Sequence, residues 1–81
     1  MDEIEFKRKM EYIVSMMKEQ GYEPYEQLAY YVLLDGNPYF ITSHGNAREM
    51  INKLKLKDIY DYLSKNGMNW SRWLKDDKFV R

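Results

Sequence analysis

The 81-residue sequence has no cysteine, one histidine and two prolines. Without cysteine the chain can form neither a disulfide nor a thiolate metal site, and one histidine does not make a recognisable zinc site. No hydrophobic run approaches the length of a membrane span, and the acidic N-terminus does not resemble a signal peptide. We therefore expect a cytoplasmic protein of one domain that does not associate with membranes.

The formal net charge is zero, but the charges are unevenly distributed. Residues 1–40 carry eight acids and four bases, a net of −4, whereas residues 41–81 carry five acids and nine bases, a net of +4. The two halves should attract each other, within one chain or across a dimer. A chain without net positive charge lacks the electrostatic footprint that is typical of a nucleic-acid-binding domain.

The spacing of the apolar residues predicts an all-α fold, a compact bundle of four to five short helices. The first two helices are predicted over residues 3–20 and 24–34, and the third begins near residue 46. The fourth ends near residue 64, and a short fifth helix is predicted near 69–75. We expect one helical domain over residues 1–75 and a flexible tail over residues 76–81.

Turn residues set the expected ends of these helices. Gly21 and Gly67 are placed to end the first and fourth helices, and Pro24 suits the first turn of the second. Residues 39–42 are apolar and β-prone, and we expect them to form an extended connector. Ser43 or Asn46 is predicted to cap the third helix, the latter in a capping box with residue 49.

A chain of this size buries only about 60 % of its unfolded surface, so its own core is marginal. Dimerisation would enlarge that core, and thirteen aromatic residues supply apolar area. We predict a homodimer whose interface includes Tyr25, Tyr30, Tyr31 and Phe40. Tyr30 and Tyr31 are separated by about 100° on a helix, so at least one of them should face outward.

Basic residues around the third helix suggest a partner-binding surface formed by His44, Arg48 and Lys53. Arg48 could give bidentate contacts to a carboxylate or phosphate of an acidic partner. A small nucleic-acid-binding domain that uses the same basic helix and the lysines after it is the alternative interpretation. In the simplest interpretation these lysines are a solvated face, and His44 is a loop residue that helps to cap the third helix.

No catalytic signature is present. The carboxylates of Asp58 and Asp61 lie one helical turn apart near a helix start, where negative charge is favourable without any catalytic role. His44 has no recognisable nucleophile and orienting carboxylate beside it in the sequence. We therefore predict a protein that is not an enzyme and has no catalytic residues, no metal site and no cofactor.

The ungapped central segment, residues 21–51, resembles the centre of the IreB-type family of small bacterial regulatory phosphoproteins. Weaker similarity extends over about residues 10–63. The matching positions are Gly21, Tyr22, Pro24, Gln27, Leu28, Tyr31, Leu33, Gly36, Pro38, Ile41, Thr42, Ser43, His44, Asn46, Ala47, Arg48 and Ile51.

The resemblance implies a helical homodimer without enzymatic activity that is phosphorylated by transmembrane serine/threonine kinases with PASTA modules. It also implies control of peptidoglycan synthesis, through a cell-wall synthesis enzyme or its protease machinery as protein partner. The family's phosphorylated threonines lie in an N-terminal extension, whereas the only threonine in this sequence is Thr42. We therefore expect a divergent member whose phosphorylated residue stays unassigned.

Overall fold

In the computed structural model, which describes residues 2–71, the chain consists of four α-helices and two short 3-10 turns. The α-helices are α1 (Glu3–Glu19), α2 (Pro24–Leu33), α3 (Ala47–Asn52) and α4 (Leu56–Lys65). The 3-10 turns, Pro38–Phe40 and His44–Asn46, both lie between α2 and α3. This confirms the predicted all-α fold.

The helix ends follow the local sequence. The Asp2 carboxylate accepts a hydrogen bond from the Glu5 amide at the start of α1, and Pro24 occupies the first turn of α2. Gly21 (φ +81°) and Gly67 (φ +91°) are left-handed. The amide of the residue after each glycine bonds back to the last turn of its helix, which is the Schellman arrangement.

The core is formed by one face from each helix. α1 packs against α2 and α3, and α2 packs against α4. Since these faces repeat at helical spacing in the sequence, each helix buries one apolar stripe and leaves its polar side to solvent. The buried cluster consists of Met10, Ile13, Met17, Leu28, Tyr31, Ile41, Ala47, Ile51, Leu54, Ile59 and Leu63.

The connection between α2 and α3 differs from the sequence prediction. The expected extended connector over residues 39–42 is wrong at its start, because Pro38–Phe40 is a 3-10 turn and Ile41 (φ −113°, ψ 131°) is extended. Proline favours this turn by fixing its own φ, and the Asn37 side chain accepts a hydrogen bond from the Tyr39 amide. Ile41 is fully buried, so it fixes the connector to the core.

The predicted caps of α3 are also wrong. Asn46 is left-handed (φ +65°) and forms no side-chain capping bond, and neither does Ser43. The 3-10 turn His44–Asn46 leads directly into α3 instead. The predicted fifth helix is described only at Trp70 and Ser71, which are helical. Its remainder and the predicted tail lie outside the described residues.

Candidate functional site

The segment between the two buried residues Ile41 and Ala47 is held against one face of α1. The Tyr12 hydroxyl donates a 2.9 Å hydrogen bond to the Gly45 carbonyl. The Nε2 atom of His44 lies 2.8 Å from the Glu19 carboxylate. Both contacts are exposed to solvent, so they position the segment at a modest free-energy gain.

Gly45 is required by this close approach. Its backbone is left-handed (φ +61°), and a Cβ atom there would collide with the Met16 sulfur and lie 2.8 Å from the Tyr12 hydroxyl. Tyr12, Met16 and Glu19 are spaced i, i+4 and i+7, so they share one face of α1. The glycine therefore allows the loop backbone to lie directly on that face.

Arg48 connects α3 to the preceding connector. Its Nε atom donates a 2.8 Å hydrogen bond to the Ile41 carbonyl, and its guanidinium carbon lies 5.8 Å from the centre of the Tyr39 ring. The side chain is half-buried. Arg48, predicted from sequence as a partner contact, is thus already engaged within the chain, where it fixes the connector and supports Tyr39.

Aromatic side chains form a surface beside Arg48. The rings of Tyr30 and Phe40 stack with centroids 5.4 Å apart and planes 20° from parallel. Tyr39 is 81 % exposed, the highest value among the exposed large hydrophobic residues of the described chain. We call Tyr30, Tyr39, Phe40 and Arg48 the aromatic surface. Tyrosine and arginine together are typical of residues that dominate protein interfaces.

Tyr25 and Tyr31, two of the four residues predicted for the dimer interface, contact parts of the chain outside the aromatic surface. Tyr31 is only 3 % exposed, and its hydroxyl donates to the Asn52 side chain at 3.1 Å. Burial raises the pKa of Tyr31 above its usual 10.0. Tyr25 is half-buried and shares a hydrogen bond with Tyr62. The Tyr31 ring is thus part of the chain's own core.

Tyr62, a residue of α4, lies beside Tyr25 of α2. Desolvation by burial raises the pKa of Tyr62, and the interaction with Tyr25 and the nearby Glu11 raise it further. The Tyr62 ring also meets Phe6 edge-to-face, with centroids 6.1 Å apart. This aromatic group therefore joins α1, α2 and α4 and stabilises the bundle.

The three residues predicted to bind a partner do not form one cluster. His44 is paired with Glu19, and Arg48 contacts the connector. Lys53 caps the other end of α3 and is exposed. At about 100° per residue, Lys53 lies roughly 140° around the helix from Arg48, so the two side chains point away from each other.

Sequence reasoning missed Tyr12 and the prominence of Tyr39. For Tyr12 the available signal was the spacing of residues 12, 16 and 19, a second stripe on α1 beside the apolar one. For Tyr39 the signal was Asn37-Pro38, which starts a turn that leaves the following side chain outside. Neither signal shows which distant residue the tyrosine contacts.

Neither a candidate metal cluster nor a helix able to span a membrane is found among the described residues. Over residues 2–71, no group of three or more histidine, aspartate or glutamate side chains is arranged to hold a metal ion. In the same part of the chain, none of the helices has both the length and the apolar character needed to cross a bilayer.

A family model described as IreB regulatory phosphoprotein matches residues 1–69. The chain belongs to the IreB family. The matched range includes all four α-helices, the segment fixed on α1 and the aromatic surface. The protein is accordingly a regulatory protein, and the resemblance noted in the central sequence is confirmed over a longer stretch than residues 21–51.

Proposed function

We propose that this IreB-family chain is a non-enzymatic adaptor that regulates cell-wall synthesis through protein–protein contacts. In this proposal it acts in the cytoplasm, downstream of a serine/threonine kinase with PASTA modules. Membership of a family of regulatory phosphoproteins supports the regulatory part. The aromatic surface supports the binding part, because Tyr39 is 81 % exposed and has a half-buried cation against its ring.

The same surface would pair two copies of the chain. The stacked Tyr30 and Phe40 rings form a rigid pair, and Tyr39, next to Phe40 in the sequence, is largely exposed. Leu34, one helical turn after Tyr30, is 40 % exposed and extends the apolar area. Rigid aromatic side chains bury large area at a small cost in side-chain entropy, so this is the surface on which we place the dimer contact.

Tyr39→Ala tests the dimer with little effect on folding, since most of the ring is exposed. The matched control is Tyr22→Ala, another exposed tyrosine, 47 % accessible, outside the aromatic surface. Sedimentation equilibrium should give a dimer for the wild type and Tyr22→Ala, and a weakened dimer for Tyr39→Ala. A wild-type monomer at micromolar concentration would contradict the proposed dimer.

The cellular function is tested by affinity capture from the source cell with the same three proteins, followed by mass spectrometry. We expect a cell-wall synthesis enzyme, its protease machinery or a PASTA-type kinase with the wild type and Tyr22→Ala, and loss with Tyr39→Ala. Recovery of nucleic acid with steep salt dependence would instead favour the basic-helix alternative. Partners that do not depend on Tyr39 would exclude the aromatic surface as the binding site.

A further inference from the structure

The sequence offers five hydroxyl groups for phosphorylation on serine or threonine: Ser15, Thr42, Ser43, Ser64 and Ser71. Three of them are engaged in hydrogen bonds. Ser15 and Ser64 lie within α-helices and donate to carbonyls one turn back, and the Thr42 hydroxyl accepts from the His44 amide. A serine that is held inside a helix is a poor kinase substrate, because a kinase binds the acceptor in non-helical backbone.

Ser43 differs from Ser15 and Ser64 because it lies outside the α-helices, and from Thr42 because its side chain is more exposed. Its side chain is exposed and forms no capping hydrogen bond. It lies two residues after the extended Ile41, has φ −83° and ψ −6°, and directly precedes the 3-10 turn that starts at His44. Ser71, the remaining candidate, is helical at the end of the described residues. Ser43 therefore combines an accessible hydroxyl with a position outside the α-helices.

The segment that carries Ser43 can open at low cost. The buried residues Ile41 and Ala47 fix its two ends. Between them, contact with α1 consists of the solvent-exposed Tyr12–Gly45 hydrogen bond, the His44–Glu19 pair and the approach of Gly45 to the half-buried Met16. Local opening with few buried contacts is the low-stability motion that exposes a loop to an enzyme while the core remains folded.

We propose that Ser43 is a phosphoacceptor and that its phosphorylation releases His44 from Glu19. This inference rests on the proposed function, in which a protein kinase regulates the chain. The Ser43 Oγ atom attacks the γ-phosphorus of a nucleoside triphosphate held by the kinase. The new O–P bond forms as the bond to the bridging oxygen breaks, the nucleoside diphosphate leaves, and the hydroxyl proton passes to a base of the kinase.

The release of His44 follows from the negative charge that the phosphate would place on the adjacent residue, Ser43. A phosphoserine carries roughly −1.5 to −2 charges at neutral pH and is a strong hydrogen-bond acceptor. Attached to the residue before His44, it competes with the Glu19 carboxylate for the imidazole and repels that carboxylate. Tyr12, the other α1 group at this segment, donates its hydroxyl to the Gly45 carbonyl and does not offset the repulsion. The segment should then separate from α1.

The site is tested by purifying the tagged full chain from the source cell and locating phosphate by fragmentation mass spectrometry. The matched variants are Ser43→Ala and Thr42→Val, which change neighbouring hydroxyls. Phosphate on Ser43 in the wild type and in Thr42→Val, and its loss in Ser43→Ala, is the expected result. Phosphate on Thr42, Ser71 or another residue instead, or none under any growth condition, would overturn the proposal.

The consequence is tested on the purified full chain with phosphoserine incorporated at position 43. We expect about tenfold faster hydrogen exchange for the amides of residues 44–46, the scale of losing one hydrogen-bonded contact. The same amides should exchange similarly faster in unphosphorylated Glu19→Gln, because this substitution weakens the contact between residue 19 and His44. Unchanged exchange in the phosphorylated chain would refute the release of His44.

These results are separable from the proposed function. Phosphate on Ser43 with captured partners that do not depend on Tyr39 would reject the aromatic surface and retain the phosphorylation site. Capture that depends on Tyr39, with no phosphate on Ser43, would retain the aromatic surface and reject the phosphorylation site.

Discussion

Replacing Gly45 by alanine should destabilise this protein more than the same change at other left-handed glycines. Gly45 has a φ of +61°, and its carbonyl accepts a hydrogen bond from the Tyr12 hydroxyl. A methyl group there meets the Met16 side chain and lies 2.8 Å from the Tyr12 oxygen. The substitution therefore strains the backbone and also separates the loop from α1.

The expected magnitude combines two costs. The left-handed conformation costs a non-glycine residue about 1–2 kcal/mol. Overpacking against α1 costs about 1–3 kcal/mol, toward the lower end here because methionine is flexible. The sum is about 2–4 kcal/mol, a large share of the roughly 4–12 kcal/mol expected for a domain of this length.

Thermal and urea denaturation, followed by circular dichroism, measure this loss. For a domain of this size the melting temperature should fall by about 10–25 °C. Gly67→Ala and Gly21→Ala are the matched controls, because both glycines are left-handed and a Cβ atom at either position meets nothing within 4 Å. They should show the backbone cost alone, about 1–2 kcal/mol.

The difference between Gly45→Ala and its controls isolates the contact with α1. Gly45→Ala should cost less in a Met16→Ala background than in the wild type, since the larger side chain that obstructs the methyl group is absent there. Equal destabilisation at all three glycines would refute the close approach of residue 45 to α1.

Tyr31→Phe removes the hydroxyl that donates to Asn52 and should cost about 0.5–1.5 kcal/mol in urea denaturation. Because the pKa of Tyr31 is raised above 10.0 in the folded state, its contribution to stability is complete below about pH 10 and is lost as pH rises through the folded pKa. The free energy of unfolding of Tyr31→Phe should therefore decline less steeply above about pH 10 than that of the wild type. An equal decline in the two proteins would show that Tyr31 does not cause this pH dependence. Arg48→Lys loses the Nε donor to the Ile41 carbonyl and should cost about 1–2 kcal/mol in the same denaturation assay, whereas Lys53→Ala should stay within about 0.5 kcal/mol. Similar values for Arg48→Lys and Lys53→Ala would show that Arg48 does not stabilise the connector. Leu63→Ala, at a fully buried position, should cost about 2–5 kcal/mol in urea denaturation, and a smaller loss would indicate that the core collapses around the cavity.

Local signals were sufficient for the helices. The start of α2 at Pro24 and the ends of α1 and α4 at Gly21 and Gly67 depend on residues within one turn of the boundary. Such signals can be read from a single sequence because the physical cause lies beside the residue. They failed at Asn46, where the asparagine adopted a left-handed backbone instead of capping α3 with its side chain.

The roles of individual side chains depended on contacts between distant positions. Tyr12 and Gly45 are 33 residues apart, and His44 and Glu19 are 25 residues apart. Helical periodicity shows that a face exists, but it does not show which segment covers that face. For this reason the role of Tyr12 was not predicted from the sequence, and Tyr31 was predicted to lie at the dimer interface.

The helical class, the limits of α1 and α2, the end of α4 and the family could be read from the residues alone, since each depends on a local residue pattern or on an ordered motif. The exposure of Tyr39, the contact of Arg48 with the connector and the position of Gly45 on α1 arise only from packing between distant segments. These outcomes follow from how the helices pack against one another, because burial and hydrogen bonding assign a side chain its role only once its neighbours are in place.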